Sequence, residues 1–318
     1  MLAKIPTTVL TGYLGSGKTT LLNRILSYDH GKKIAVIINE FGEIGIDNEL
    51  IVSSDEEIVE MNNGCICCTV RGDLIRIVDD IFTRYENLDH ILIETTGLAD
   101  PGAVIQSFFV DDRMASQLEL DAIVTLIDSK HLPSQISSHE AEEQIAFADV
   151  IVLNKTDLVS PDELDALESE IRQRNTVAKI FRACHADLEL ENVLGIQGFD
   201  LKNALSVAPD LLIEGDHQHD DSIQSVCIER IGTVDPKKFN RWLFDLSQEH
   251  GQNILRMKGI LNVDDELRRF VFQGVHMMID GKPGRPWGSD ETRRNELVFI
   301  GRDLGTMSLK EGFEACLK

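Results

Sequence analysis

The sequence predicts an α/β fold, a parallel sheet with helices on both faces, followed by a smaller α+β unit. Three observations carry that expectation. Short β-branched runs alternate with helical patterns through the first two thirds of the chain, as crossover-linked parallel strands require. A glycine-rich turn stands where the first strand hands over to the first helix. The charge balance then changes abruptly, from 16 basic against 38 acidic side chains over residues 1–217 to 15 against 16 over 218–318. The polar stretch Glu214–Asp221, preceded by Pro209, lacks apolar periodicity and reads as a connector. The predicted domains are therefore 1–210 and 222–318, joined by 211–221.

The elements follow in order. Thr7–Thr11 reads as a strand, and after the turn Leu21, Leu22, Ile25 and Leu26 form an apolar stripe at helical spacing. Ile34–Ile38, Ile91–Ile93, Ala122–Ile127 and Val150–Leu153 are short, bounded by turn or polar residues, and suit buried parallel strands. Beyond the connector, Ile223–Ile228 reads as a strand. A helix starting at Pro236 buries Phe239, Trp242, Leu243 and Leu246. Strands at Ile254–Leu261, Phe270–Gly274 and Glu296–Ile300 and a last helix from Ser308 complete a small antiparallel unit. Arg256, Lys258, Arg268 and Arg269 read either as a basic face for an acidic partner or for the acidic N-terminal domain, or as exposed strand-face charges.

Composition narrows the function classes. With 318 residues and 42% hydrophobic content the chain can bury substantial cores, which excludes disorder, collagen and small disulfide scaffolds. No apolar run reaches the roughly 18 to 20 residues of a spanning helix, and the N-terminus lacks a leader pattern, so a soluble, cytoplasmic protein with no membrane partner is expected. The net charge of -23 repels phosphate backbones and argues against nucleic acid. Any nucleotide must be held by a local site. Six cysteines are too few for a disulfide framework, and three of them crowd into four positions.

Gly12-Tyr13-Leu14-Gly15-Ser16-Gly17-Lys18-Thr19 satisfies G-x-x-x-x-G-K-[S/T] between a strand and a helix, which makes the expected sheet that of a P-loop NTPase. The glycines let backbone N–H groups turn inward around phosphates. Lys18 reaches the outer phosphates, Thr19 can ligate Mg²⁺, and Thr20 is a further nucleotide-binding candidate. Asn154-Lys155-Thr156-Asp157 ends an apolar strand: Asp157 can accept from both N–H groups on the guanine edge, the Lys155 stem can cover the base, and Asn154 can tie this loop to the P-loop. Adenine offers neither donor, so GTP is expected over ATP. Glu94, with Gly97 three residues on, ends another strand as a candidate for orienting Mg²⁺ and sensing the terminal phosphate. The acidic loop from Asn39 to Asp47 is a candidate switch. Cys65, Cys67 and Cys68 can supply three thiolates to Zn²⁺ or to another thiophilic ion such as Co²⁺, with Glu43 the nearest oxygen donor; inert buried thiols or a redox pair remain the other readings.

Taken together, G-Y-L-G-S-G-K-T at Gly12–Thr19, N-E-F-G at Asn39–Gly42, G-C-I-C-C at Gly64–Cys68, E-T-T-G at Glu94–Gly97 and N-K-T-D at Asn154–Asp157 resemble the CobW/YjiA type of P-loop GTPase. The resemblance runs to about residue 200 and resumes across the C-terminal unit. It implies low GTPase activity, metal binding at Cys65, Cys67 and Cys68, and a role in trafficking or installing metal into a client metalloprotein. Many such proteins carry a long histidine-rich tract between their domains, whereas here there is only Asp216-His217-Gln218-His219-Asp220. A storage role is correspondingly disfavoured. A metal-independent regulatory GTPase with structural cysteines, and a P-loop kinase, are the rival readings.

Overall fold

The computed structural model describes residues 4–28, 30–39, 57–61, 69–85, 87–97, 101–196, 223–288 and 291–318. They divide into two compact units, Met1–Glu170 with Ala178–Gly198, and Ile171–Val177 with Phe199–Lys318. The expected connector, 211–221, lies outside the described residues.

The first unit is built on seven strands: β1 (Ile5–Gly12), β2 (Ile34–Asn39), β3 (Glu57–Met61), β4 (His90–Glu94), β5 (Leu118–Asp128), β6 (Val150–Asn154) and β7 (Lys179–Arg182). They lie in the order β3-β2-β4-β1-β5-β6-β7, and every pairing is parallel. The helices are α1 (Lys18–Ser27), α2 (Thr69–Arg84), α3 (Pro101–Val110), α4 (Asp112–Gln117), α5 (Leu132–Gln135), α6 (His139–Phe147) and α7 (Pro161–Arg174). Strands β4 and β6 are buried along their whole length, as a sheet covered on both faces demands. Leu21, Leu22, Ile25 and Leu26 of α1 enter one core with Leu10, Val36, Leu92, Val124 and Val152. Each such side chain contributes about 1.5–3 kcal/mol by leaving water, which anchors α1 directly behind the glycine-rich turn.

The succession of strands reverses direction at β1, with β4 on one side and β5 on the other. A crevice at the carboxyl ends of the strands is the usual ligand position in such sheets. The Gly12 turn, Glu94 and Asn154 all stand at those ends.

The second unit is a five-stranded antiparallel sheet of β8 (Gln224–Ile231), β9 (Ile254–Leu261), β10 (Arg268–Val275), β11 (Met278–Pro286) and β12 (Arg294–Gly301), in the order β11-β10-β9-β12-β8. Helix α8 (Pro236–His250) starts on Asp235, whose carboxylate accepts from the N–H groups of Lys237 and Lys238 at 2.8 and 3.2 Å. Its inner face packs Phe239, Leu243 and Leu246 with Phe272 and Phe299 of the sheet and Phe313 of α9 (Leu309–Glu314). The Phe239 and Phe272 rings meet edge-on, 5.4 Å between centroids. The exposed strand-face reading fails for three of the four basic residues. Arg256, Lys258 and Arg269 are buried; the Arg269 guanidinium lies over the Trp287 ring at 4.7 Å and pairs with Glu291. Arg268 is exposed beside Glu266. On a strand paired on both sides, even an outward-facing position is covered by neighbours.

Candidate nucleotide site

The turn after β1 is shaped by three left-handed glycines, Gly12 (φ +141°), Gly15 (φ +76°) and Gly17 (φ +107°). A Cβ on Gly12 would lie 2.2 Å from the Leu126 carbonyl oxygen, and one on Gly17 would lie 2.4 Å from the Asn154 amide nitrogen. No side chain fits at either position. The turn closes with the Ser16 N–H on the Tyr13 carbonyl at 3.1 Å. Helix α1 begins on Gly17 with no side-chain cap and no acid in its own first turn, so the positive end of its dipole favours an anionic ligand. Lys18 lies back along the loop, donating to the Gly12 and Tyr13 carbonyls at 2.8 and 3.4 Å. The Ser16 hydroxyl is buried with no hydrogen-bond partner, at a cost of about 1–3 kcal/mol. Thr19 is half-buried at the start of α1, and Thr20 is exposed.

The end of β4 approaches this turn from the side. Glu94, nearly buried, is in register with Leu10 of β1 and Ile38 of β2. The next residue, Thr95, joins its N–H to the Leu10 carbonyl at 2.9 Å and its hydroxyl to Thr11 Oγ1 at 2.9 Å. The Thr96 hydroxyl is the second buried group here without a partner. Gly97 touches the glycine-rich turn itself, since a Cβ there would sit 2.6 Å from the Leu14 nitrogen. Gln144 of α6 steadies Gly97 by donating to its carbonyl at 3.2 Å.

Asn154 joins three loops. Its amide nitrogen donates to the Ser16 carbonyl at 2.9 Å, its amide oxygen accepts from the Ala186 N–H at 2.9 Å, and its own carbonyl accepts from Ser129 N and Oγ. Lys155 follows in the left-handed region, φ +59°, and its ammonium donates to Asp128 Oδ2 at 2.7 Å, which fixes the aliphatic stem. Burial pushes the Asp128 carboxyl up, but hydrogen bonds from Lys155 and His131 outweigh it and hold the group below the usual carboxylate range. Asp157 is exposed, and the Cys184 thiol donates to its Oδ1 at 3.1 Å, lowering its pKa. Thr156 secures the loop from below, its N–H and hydroxyl both on the Ala183 carbonyl at 3.2 and 3.0 Å.

Three strand ends therefore supply the candidate residues: β1 leads into Gly12, Gly15, Ser16, Gly17, Lys18 and Thr19, β4 ends at Glu94 ahead of Gly97, and β6 ends at Asn154 ahead of Lys155 and Asp157. A left-handed glycine turn ahead of a helix N-terminus, with one ammonium laid along it, suits a polyphosphate, and the partnerless Ser16 and Thr96 hydroxyls suit a hydrated ion or phosphate oxygens. Glu43, Cys65, Cys67 and Cys68, and the loop from Glu40 to Asp47, lie outside the described residues. The sequence reading did not single out Asp128, Ser129, Cys184, His185 or Ala186. Only their approach in space, across β5, β6 and β7, marks them. Among the described residues no helix is long and apolar enough to cross a membrane.

Comparison with known proteins agrees with this geometry. Residues 6–182 match the family described as CobW/HypB/UreG, nucleotide-binding domain, and residues 223–317 match the cobalamin synthesis protein cobW C-terminal domain. The chain is 36% identical over 320 residues to the zinc chaperone YjiA of Escherichia coli (strain K12), covering 99% of each chain. It is 34% identical over 332 residues to the zinc chaperone CobW of a Sinorhizobium species, covering 94% of this chain and 93% of that one. The crystal structure of Zn(II)-bound YjiA GTPase from E. coli superposes with a TM-score of 0.76 at 30% identity, covering 100% of both chains.

Proposed function

The chain belongs to the CobW/HypB/UreG family of nucleotide-binding proteins, and on that premise we propose that it is a GTPase of low intrinsic rate that carries Zn²⁺, or a similar transition metal, to a client metalloprotein. The observation that carries the nucleotide half of this reading is the double hydrogen bond of Asn154, which locks the phosphate-facing turn to the loop bearing Asp157. In this reading the N–H groups of Gly12 to Thr20 hold the phosphates. Lys18 leaves the Gly12 and Tyr13 carbonyls for the phosphate oxygens. Asp157 reads the guanine edge while the stem of Lys155, fixed by Asp128, lies along the base. The Thr19 hydroxyl and Glu94 would hold Mg²⁺, which supplies charge neutralisation at the terminal phosphates. The two partnerless hydroxyls at Ser16 and Thr96 are consistent with such a ligand.

The metal half rests on the sequence motif and on the relatives' names. Cys65, Cys67 and Cys68, with Glu43, are the proposed cargo ligands; Glu43 belongs to the proposed switch loop, and the cysteines come after β3 and before the Glu94 strand. Nucleotide state then alters metal affinity, and by linkage the metal alters nucleotide affinity by the same factor. Metal titrations of the full chain with GDP and with a non-hydrolysable GTP analogue test this; equal affinities in the two states would refute the coupling. Unchanged metal stoichiometry after Cys65, Cys67 and Cys68 are replaced by Ser would favour a regulatory GTPase with structural cysteines.

A further inference from the structure

Where the base-reading loop of β6 meets the turn after β7, three metal-ligating side chains stand together, two of which, Cys184 and His185, the motif-based reading leaves unused. Asp157, Cys184 and His185 offer a carboxylate oxygen, a sulfur and an imidazole nitrogen within 4.8 Å of one another. We propose that these three residues form a second transition-metal site, and that a metal ion there excludes guanine from the crevice.

The donor set selects the ion. Thiolate, imidazole and carboxylate together suit Zn²⁺ or Co²⁺ and disfavour Mg²⁺ or Ca²⁺, which take oxygen ligands. The spacing also fits. Bonds of about 2.3 Å to sulfur and 2.1 Å to oxygen at a tetrahedral angle put the two donors roughly 3.6 Å apart, and Cys184 Sγ lies 3.1 Å from Asp157 Oδ1. The pair needs to open by only a fraction of an ångström. The thiol proton that now bridges them passes to solvent when the metal takes its place.

The backbone holds the donors in position before any ion arrives. Ala183 N–H bonds the Leu153 carbonyl at 2.8 Å, Ala186 N–H bonds Asn154 Oδ1 at 2.9 Å, and Thr156 closes on the Ala183 carbonyl. His185 and Ala186 both have left-handed backbone, φ +52° and +53°, and residues of those types stay there only where surrounding bonds fix them. Asp157 and His185 are exposed and Cys184 is half-buried, so an ion can enter from solvent and a water can complete the tetrahedron.

The exclusion of guanine rests on the guanine reading of Asp157. A carboxylate with one oxygen on a dication has less charge and a fixed orientation to offer the two N–H groups of the purine, so metal and nucleotide weaken one another by the same factor. This effect is opposite in sign to a metal held by Cys65, Cys67 and Cys68 that favours the GTP state.

The test uses the full chain with Cys65, Cys67 and Cys68 replaced by Ser, stripped of nucleotide under reducing conditions and titrated with Co²⁺ alone. The expected result is one equivalent of Co²⁺ with a thiolate charge-transfer band, lost on adding Cys184→Ser and weakened by His185→Gln. Saturating GDP should lower the Co²⁺ affinity about tenfold or more, and Co²⁺ the GDP affinity equally. A band that survives Cys184→Ser, or no thiolate band at all, overturns the site. A Cys184 band indifferent to GDP, in a protein that binds GDP, overturns the exclusion. GDP binding by the metal-free variants, measured first, confirms that they are folded and tests the guanine reading separately: failure there, with the Cys184 band intact, removes that reading and leaves the metal site standing. Should the triple replacement not fold, the same subtraction between the unaltered chain and its Cys184→Ser variant reads the loss of one cobalt–sulfur bond by X-ray absorption.

Discussion

Single side chains in the crevice make separable demands. In the proposed guanine reading, Asp157→Asn would turn one acceptor into a donor facing the exocyclic amine, and GDP affinity should fall roughly a hundredfold or more. Xanthosine diphosphate, which carries a carbonyl there, should gain on the variant; calorimetric titration with both nucleotides decides it. Away from the crevice, His90 Nε2 meets Thr8 Oγ1 at 2.8 Å, and Thr8 in turn donates to Asp121 at 3.1 Å. Burial lowers the His90 pKa to about 4, against the smaller upward pull of Asp121 and aided by Lys32. The unfolded chain therefore binds a proton that the folded chain refuses, and stability should fall as pH drops from 6.5 through 4, by about 3 kcal/mol in full. Urea unfolding of a His90→Gln variant should lose that part of the acid slope; an unchanged slope contradicts it. At this scale the sequence was partly legible. Asn154 and Asp157 stand in a contiguous motif with a stated chemistry, whereas Cys184 and His185 lie on a separate loop and acquire meaning only beside Asp157. The cysteines at 65, 67 and 68 stay an expectation drawn from spacing.

Elements reward the same reasoning where period and length agree. Strand β9 was expected at Ile254–Leu261 and is found there, because eight consecutive buried positions leave no ambiguity about its ends. Helix α8 was marked by Pro236 and by the spacing of Phe239, Leu243 and Leu246. Strands β3, β7 and β11 were missed for three reasons. Glu57–Met61 places charged residues in a lateral strand, Lys179–Arg182 is four residues long with none of them buried, and Met278–Pro286 carries glycines and prolines that read as turn. The junction of β1 with α1 is the element-level feature most sensitive to substitution. Gly17→Ala adds a methyl against the Asn154 amide at a left-handed position, so it should destabilise the first unit by about 1–3 kcal/mol and abolish GDP binding. A Gly17→Ala protein that binds GDP normally would show that the Asn154 bridge is dispensable.

At the scale of the molecule, a net charge of -23 and a crevice for an anionic ligand coexist because short-range N–H groups and one lysine act inside a field that repels phosphate at a distance. Binding GDP at about 100 times its dissociation constant should stabilise the unit that holds it by about 2.7 kcal/mol. Circular dichroism melts with and without GDP check this, and an unmoved midpoint speaks against any nucleotide site. The second sheet ends differently. Its outermost strand, β11, is largely exposed and carries Gly281, Lys282, Pro283, Gly284, Arg285 and Pro286 along its free margin. Prolines withhold donors and cations repel a second copy, so this margin resists edge-to-edge pairing. Replacing Lys282 and Pro283 with valine should make the protein self-associate with rising concentration: the residues that disguised the strand are those that keep neighbouring molecules from zipping onto it.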